Sequence, residues 1–195
     1  MNVKSEADSI LASEGTKKEK IIKLCNLVRD IPYKRIGRLE PEDMIKEGKG
    51  SCTPKHVFLA SYLKKIGVPL KFLFTPFYYK KLSLKYPREN MDIVENMPIA
   101  YHTALKAEID GKWRIIDVTW DLPLKSLGFA VNEGWGGDSD MKLGVVPEET
   151  IEKDVDPSMY EKEKIKQFSE NEIRARNKFY NLLGGMIESL RNQNL

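Results

Sequence analysis

Apolar positions recur at helical spacing from Thr16 onward. In KKEKIIKLCNLVRDIPY, Ile21, Leu24, Cys25, Val28 and Ile31 fall on one stripe and Pro32 closes the run, which predicts an amphipathic helix with Cys25 on its buried face. LEPEDMIKEGKG reads as a short helix and a glycine-punctuated loop that delivers the chain to Cys52. A second long helix follows. Thr53 suits its N-cap, Pro54 its first helical position, and Gly67 its C-cap before Val68-Pro69, while Val57, Phe58, Ala60, Leu63 and Ile66 form an apolar face. LKFLF (70–74) is short and apolar, as strands are. Residues 75–98 mix proline, basic and aromatic residues without a period and read as a long connection.

AYHTALKAEIDGKWRIIDVTW contains two strand-like runs around Asp110-Gly111, a strong hairpin signal. Residues 122–149 are glycine-rich and irregular, and the Glu- and Lys-rich stretch 152–170 reads as a solvated face. From Ser169, helical spacing returns at Ile173, Tyr180, Leu183, Ile187 and Leu190, weakened by Gly184-Gly185.

Composition narrows the classes. A chain of 195 residues with 41% hydrophobic content can bury one core. The net charge of +3 is too mild to imply a nucleic-acid footprint, although FYYKKLSLKYPR interleaves aromatic and basic residues; a solvated loop or the rim of a cleft is the expectation there. MNVKSEADSILASEGTKKEK has scattered charges and no apolar leader region, and no stretch has the length of a bilayer span, so a cytoplasmic chain with no membrane partner is expected. Two cysteines, Cys25 and Cys52, allow at most one bridge, which a reducing compartment disfavours.

The hairpin register bears on chemistry. With a two-residue turn at Asp110-Gly111, Ile109 faces Lys112, and continuing the count sets His102 opposite Thr119 and Ala104 opposite Asp117. Side chains alternate by two along a strand, so His102 and Asp117 are diagonal neighbours on one face, roughly 7–8 Å apart at the backbone and within side-chain reach. A carboxylate that holds one imidazole nitrogen while the other faces a nucleophile is the arrangement of general-base chemistry. Cys52 can supply that nucleophile if the hairpin packs beside the start of its helix, because a helix N-terminus and a nearby imidazolium both favour a thiolate.

GKGSC before an apolar helix and GVP, then YHTAL at a strand start, then the carboxylate in WRIIDVTWD, resembles the core of the transglutaminase-like superfamily; LVRDIPY resembles the helix that precedes that core. The resemblance spans residues 16–125. It implies an α+β, papain-like fold in which the cysteine helix packs on an antiparallel sheet, with a catalytic domain over 1–150 and a C-terminal helical extension over 151–195 on the same domain. It also implies Cys52 as nucleophile, His102 as general base and later acid, and Asp117 as the residue that orients the histidine. The Cys52 N–H would be one oxyanion donor. The family often takes a second from an upstream Trp or Gln, and neither precedes Cys52 here, which leaves Tyr33 or Lys46 as weak candidates.

The implied activity is thiol-dependent acyl transfer at a carboxamide, with peptide or amide hydrolysis ahead of amine transfer and of a non-enzymatic peptide- or protein-binding role. A peptide or protein substrate is expected, with no cofactor and no metal. His56 with Cys52 invites a metal reading, but no C-x-x-C or H-E-x-x-H spacing completes a ligand set, so a surface or supporting place suits His56 better. Trp120 and Trp135 are expected to be packing anchors, and Asn132, Trp135 and Gly136-Gly137 are a candidate flap over the cleft.

Overall fold

The structure, a computed structural model, describes residues 2–35 and 40–193; Leu39, the first residue of the stretch read as the short helix, lies outside them. Four helices come first, α1 (Val3–Ala12), α2 (Lys17–Asp30), α3 (Pro41–Glu47) and α4 (Cys52–Lys65), followed by strand β1 (Leu70–Phe77). The chain continues through α5 (Met91–Glu95), β2 (Ala100–Ile109), β3 (Lys112–Ile116), β4 (Ile151–Lys153), α6 (Pro157–Ile165) and α7 (Glu170–Gln193). The class is α+β: an antiparallel sheet in the order β3-β2-β1-β4, with α4 packed against β2.

Local chemistry accounts for most of the boundaries. Thr16 and Glu19 form a reciprocal capping box at the start of α2, and Ser169 with Glu172 does the same for α7. The β2–β3 turn has positive φ at both Asp110 (50°) and Gly111 (74°), the geometry that matches strand twist, and it pairs Ile109 with Lys112 as the spacing predicts. Pairing stops at Leu105–Ile116, however, so Thr119 never reaches His102; the cross-strand partner of His102 is Thr75 of β1.

Several expectations change. Asn2 caps α1, a helix that scattered charge conceals in the sequence. Helix α4 begins two residues earlier than expected, so Cys52 is itself helical: the Thr53 hydroxyl is taken by Thr103 of β2 at 3.2 Å instead of capping, and Pro54 still fits because N–H groups in the first turn have no intrahelical acceptor. β1 runs on through Pro76, which β4 does not flank because its pairing covers only Phe72 to Phe74, so the missing N–H costs no ladder bond there. The connection after β1 contains two short 3-10 turns and α5, and it buries Tyr79 and Val94. The stretch read as a solvated face contributes β4 and α6, the latter with Pro157, Ser158, Tyr160 and Glu161 buried.

Two apolar clusters fill the interior. Ala7, Leu24, Val28, Leu59 and Leu63 pack on Leu105 and Ile116 of the sheet; Tyr33, Phe77, Tyr79, Trp120 and Phe129 pack with Phe179, Leu183 and Ile187 of α7. Asp117 lies at their junction, since Val118 belongs to the first cluster and Trp120 to the second. No described helix is long and apolar enough to cross a membrane.

Candidate active site

Cys52, His102 and Asp117, 65 residues apart at their extremes in the chain, converge. The His102 Nε2 lies 2.6 Å from Asp117 Oδ2, with both residues 2% exposed. The Cys52 sulfur lies near enough to the same ring to add to the pull on its proton. With Nε2 committed to the carboxylate, Nδ1 is the nitrogen left for the thiol. Cys52 is partly exposed at the first position of α4, where its N–H has no intrahelical acceptor.

The electrostatics follow from this contact. Burial pushes His102 down, but the Asp117 charge, its hydrogen bond and the Cys52 contact outweigh it and raise the ring to about 10. Burial likewise opposes the charge on Asp117, yet His102, His56 and the Gly144 N–H together hold its carboxyl below the usual range. Its two oxygens are fully used: Oδ2 also accepts from Gly144 N at 2.7 Å, and Oδ1 accepts from Thr119 N at 3.1 Å.

The neighbours of Cys52 on α4 have roles that the sequence pattern conceals. Of the surface and supporting places expected for His56, it takes the supporting one and is fully buried. Its Nε2 accepts from the Val118 N–H at 3.1 Å, so its proton sits on Nδ1, which donates to the Cys52 carbonyl at 2.8 Å. Both nitrogens are thereby engaged, which leaves no lone pair for a metal ion; burial, which outweighs the nearby Asp117 charge, takes the ring down to about 4. Lys55 is also fully buried, and its Nζ donates to the carbonyls of Arg29 (3.0 Å), Thr119 (2.9 Å) and Val118 (3.4 Å). Burial brings Lys55 down to about 7 against the pull of Asp121 and Asp30. One helix turn thus carries Cys52 and grips the segment just past Asp117. No group of three or more metal-ligating side chains occurs among the described residues.

The glycine-rich segment supports Asp117 from behind instead of covering Cys52. Asn132 Nδ2 donates to the Asp117 carbonyl at 2.9 Å, while Trp135 packs in the first apolar cluster with its Nε1 donating to Ser139. Gly144 approaches so closely that a Cβ there would come within 2.6 Å of the Trp120 indole nitrogen. Trp120 is buried and donates to the Gly144 carbonyl at 2.8 Å. Of the two weak oxyanion candidates, Tyr33 is brought near Cys52: it bridges Gly50, two residues before the cysteine, and burial raises its phenol. Lys46 lies in the last turn of α3.

Comparison with known proteins adds a weak likeness. No family model and no curated protein matches the chain. Among solved structures, a protein from Cytophaga hutchinsonii proposed to be a cysteine protease aligns over 77% of this chain at 14% identity and a TM-score of 0.42. The chain spans about half of that protein, 49% of its length.

Proposed function

We propose that the protein is a transglutaminase-like cysteine enzyme that cleaves a carboxamide through Cys52, with His102 and Asp117 completing the triad. One observation carries the reading: a buried histidine bonded through Nε2 to a carboxylate, with a cysteine at a helix N-terminus near enough to raise the ring. In the reaction, the Cys52 sulfur bonds to the carbonyl carbon and the electron pair moves to oxygen, where the Cys52 N–H receives it, with the Tyr33 phenol as second donor. His102 gives its proton to the amine nitrogen as the C–N bond breaks, leaving a thioester. Water then gives a proton back to His102 as its oxygen attacks the thioester carbon, and the C–S bond breaks to release the acid and the Cys52 thiolate. Water is preferred over an amine as acceptor.

Iodoacetamide labelling followed by peptide mass mapping tests the thiol. Cys52 should be alkylated at neutral pH faster than free cysteine, and His102→Ala should remove that advantage, while Cys25, buried at 2% exposure, stays unmodified as an internal control. A Cys52 no faster than free cysteine would sink the enzyme reading. In a library of peptide amides read by mass spectrometry, Tyr33→Phe should lower turnover about a hundredfold if its phenol serves the oxyanion.

A further inference from the structure

A half-open groove of about 1020 Å³ runs between the segment 32–35, Lys49, α6 and α7, and none of the triad lines it. Its mouth is nonetheless close to the nucleophile. Tyr33 lines the groove and bridges Gly50, and Lys49 stands three residues before Cys52, a span of at most about 11 Å of chain.

The lining is lopsided in charge. Among the described residues, six cations line it against one carboxylate, Glu188. Some are locally balanced: Lys34 pairs with Glu188 at 2.8 Å, Lys162 with Glu40 at 3.5 Å and Arg191 with Asp121 at 3.0 Å. Arg35 and Arg176, however, share the single carboxylate of Glu161, at 2.7 and 3.1 Å. Both guanidinium groups lie over the Tyr180 ring, 4.4 and 4.9 Å from its centre, which fixes their orientation. Lys49 has no carboxylate within ion-pair distance among the described residues. Among the described residues, two positive charges are therefore left over, one at the Arg pair and one at Lys49.

The backbone of α7 supplies an independent observation. Gly184 and Gly185 sit in the middle of a 24-residue helix, where glycine is the poorest helix former after proline, and both line the groove. A Cβ at either would meet no described atom within 4 Å, so packing within the described chain does not require them. Bare backbone here favours close approach by something lying in the groove.

We propose that this groove takes an extended, acidic peptide segment of the substrate, its backbone along Gly184-Gly185 and its carboxylates on Lys49 and the Arg35–Arg176 pair. An extended chain rises about 3.3 Å per residue, so a carboxylate about three positions from the scissile amide at Cys52 reaches Lys49. The proposal rests on the cysteine-enzyme reading for its link to catalysis, but binding can be measured without it.

Full-length Cys52→Ala protein is titrated with acetyl-(Glu-Gly)3-amide and with its Gln counterpart by calorimetry. The Glu peptide should bind at least about tenfold more tightly, and added salt should weaken it. Lys49→Glu together with Lys162→Glu should weaken it at least about tenfold. Gly185→Leu, which favours the helix and fills the groove, should abolish binding while leaving the melting temperature unchanged or raised. Equal affinities for the two peptides, or affinity unchanged in these variants, would overturn the proposal. So would tighter binding of an oligo-dT octamer than of the Glu peptide, which would assign the groove to nucleic acid. If the Glu peptide binds but Cys52 of the unmodified protein lacks enhanced alkylation, the catalytic reading fails and the groove stands; amide cleavage without acidic preference fails the groove alone.

Discussion

His56 illustrates how much one buried side chain can decide. Its Nε2 is the acceptor for the Val118 N–H, so replacing it by leucine strands a buried donor next to Asp117, at a cost of about 1–3 kcal/mol. The pH dependence has a definite sign. The folded-state value, about 4, lies below the ordinary value of 6.5, so between these the unfolded chain binds more protons and stability falls as pH drops from about 6.5 to 4. The full effect is about 3 kcal/mol. His102 acts oppositely: raised to about 10, it contributes stability that is complete below 6.5 and is lost as pH rises through 10. Urea denaturation of His56→Leu should therefore show a less stable protein at pH 7 whose stability changes less than the parent's between pH 6.5 and 4. An unchanged acid slope would contradict the assignment of His56 as a buried neutral ring.

At the scale of elements, α4 is the organising piece. Its buried face includes Thr53, Lys55 and His56 as well as Phe58, Leu59 and Leu63, so the polar residues of its first turn are clamps on neighbouring backbone. The clamp reaches two segments at once, the C-terminal end of α2 at Arg29 and the residues after β3 at Val118 and Thr119. Lys55→Met keeps the aliphatic volume but leaves three buried carbonyls without their donor. We expect a loss of at least about 3 kcal/mol in denaturant unfolding, with Cys52 alkylation slowed even where the variant remains folded. Lys55→Arg should not rescue it, because a planar fork cannot direct its N–H groups to carbonyls that converge on a single ammonium.

Across the whole molecule, Asp121 ties distant parts of the chain together. Its Oδ1 accepts from Tyr33 N at 2.7 Å, and the Arg191 guanidinium donates to both its oxygens at 3.0 and 3.1 Å and to the Tyr33 carbonyl at 3.3 Å. Helix α7 is thereby fastened to the segment that precedes α3 and to the segment that follows Asp117, over the apolar contacts of Phe179, Leu183 and Ile187. The Asp121 carboxylate is 3% exposed, so Arg191→Leu removes its cation and should cost about 2–4 kcal/mol, measured as a lowered melting temperature. Asp121→Asn in the same background should recover part of the loss, because it removes the uncompensated charge.

The parts of this fold legible in the sequence are those set by neighbours in the chain. Helix α2 with its capping box, α7 despite its glycine pair, and the Asp110-Gly111 turn follow from local spacing and backbone preference. That turn also sets the β2–β3 register, but pairing ends at Leu105–Ile116, so the approach of Asp117 to His102 depends on the chain beyond the strand as well as on spacing. The sequence is silent wherever a partner lies far along the chain. Thr53 looks like a cap until Thr103 claims its hydroxyl; nothing in the spacing marks Lys55, or chooses between a surface and a supporting place for His56, until the carbonyls and N–H of residues 118–119 surround them; the glycine-rich segment looks like a flap until Asn132 and Gly144 bind Asp117. Polar groups are buried only where such distant partners satisfy them, and a one-dimensional pattern of polar and apolar residues holds no record of which carbonyl or amide will be there.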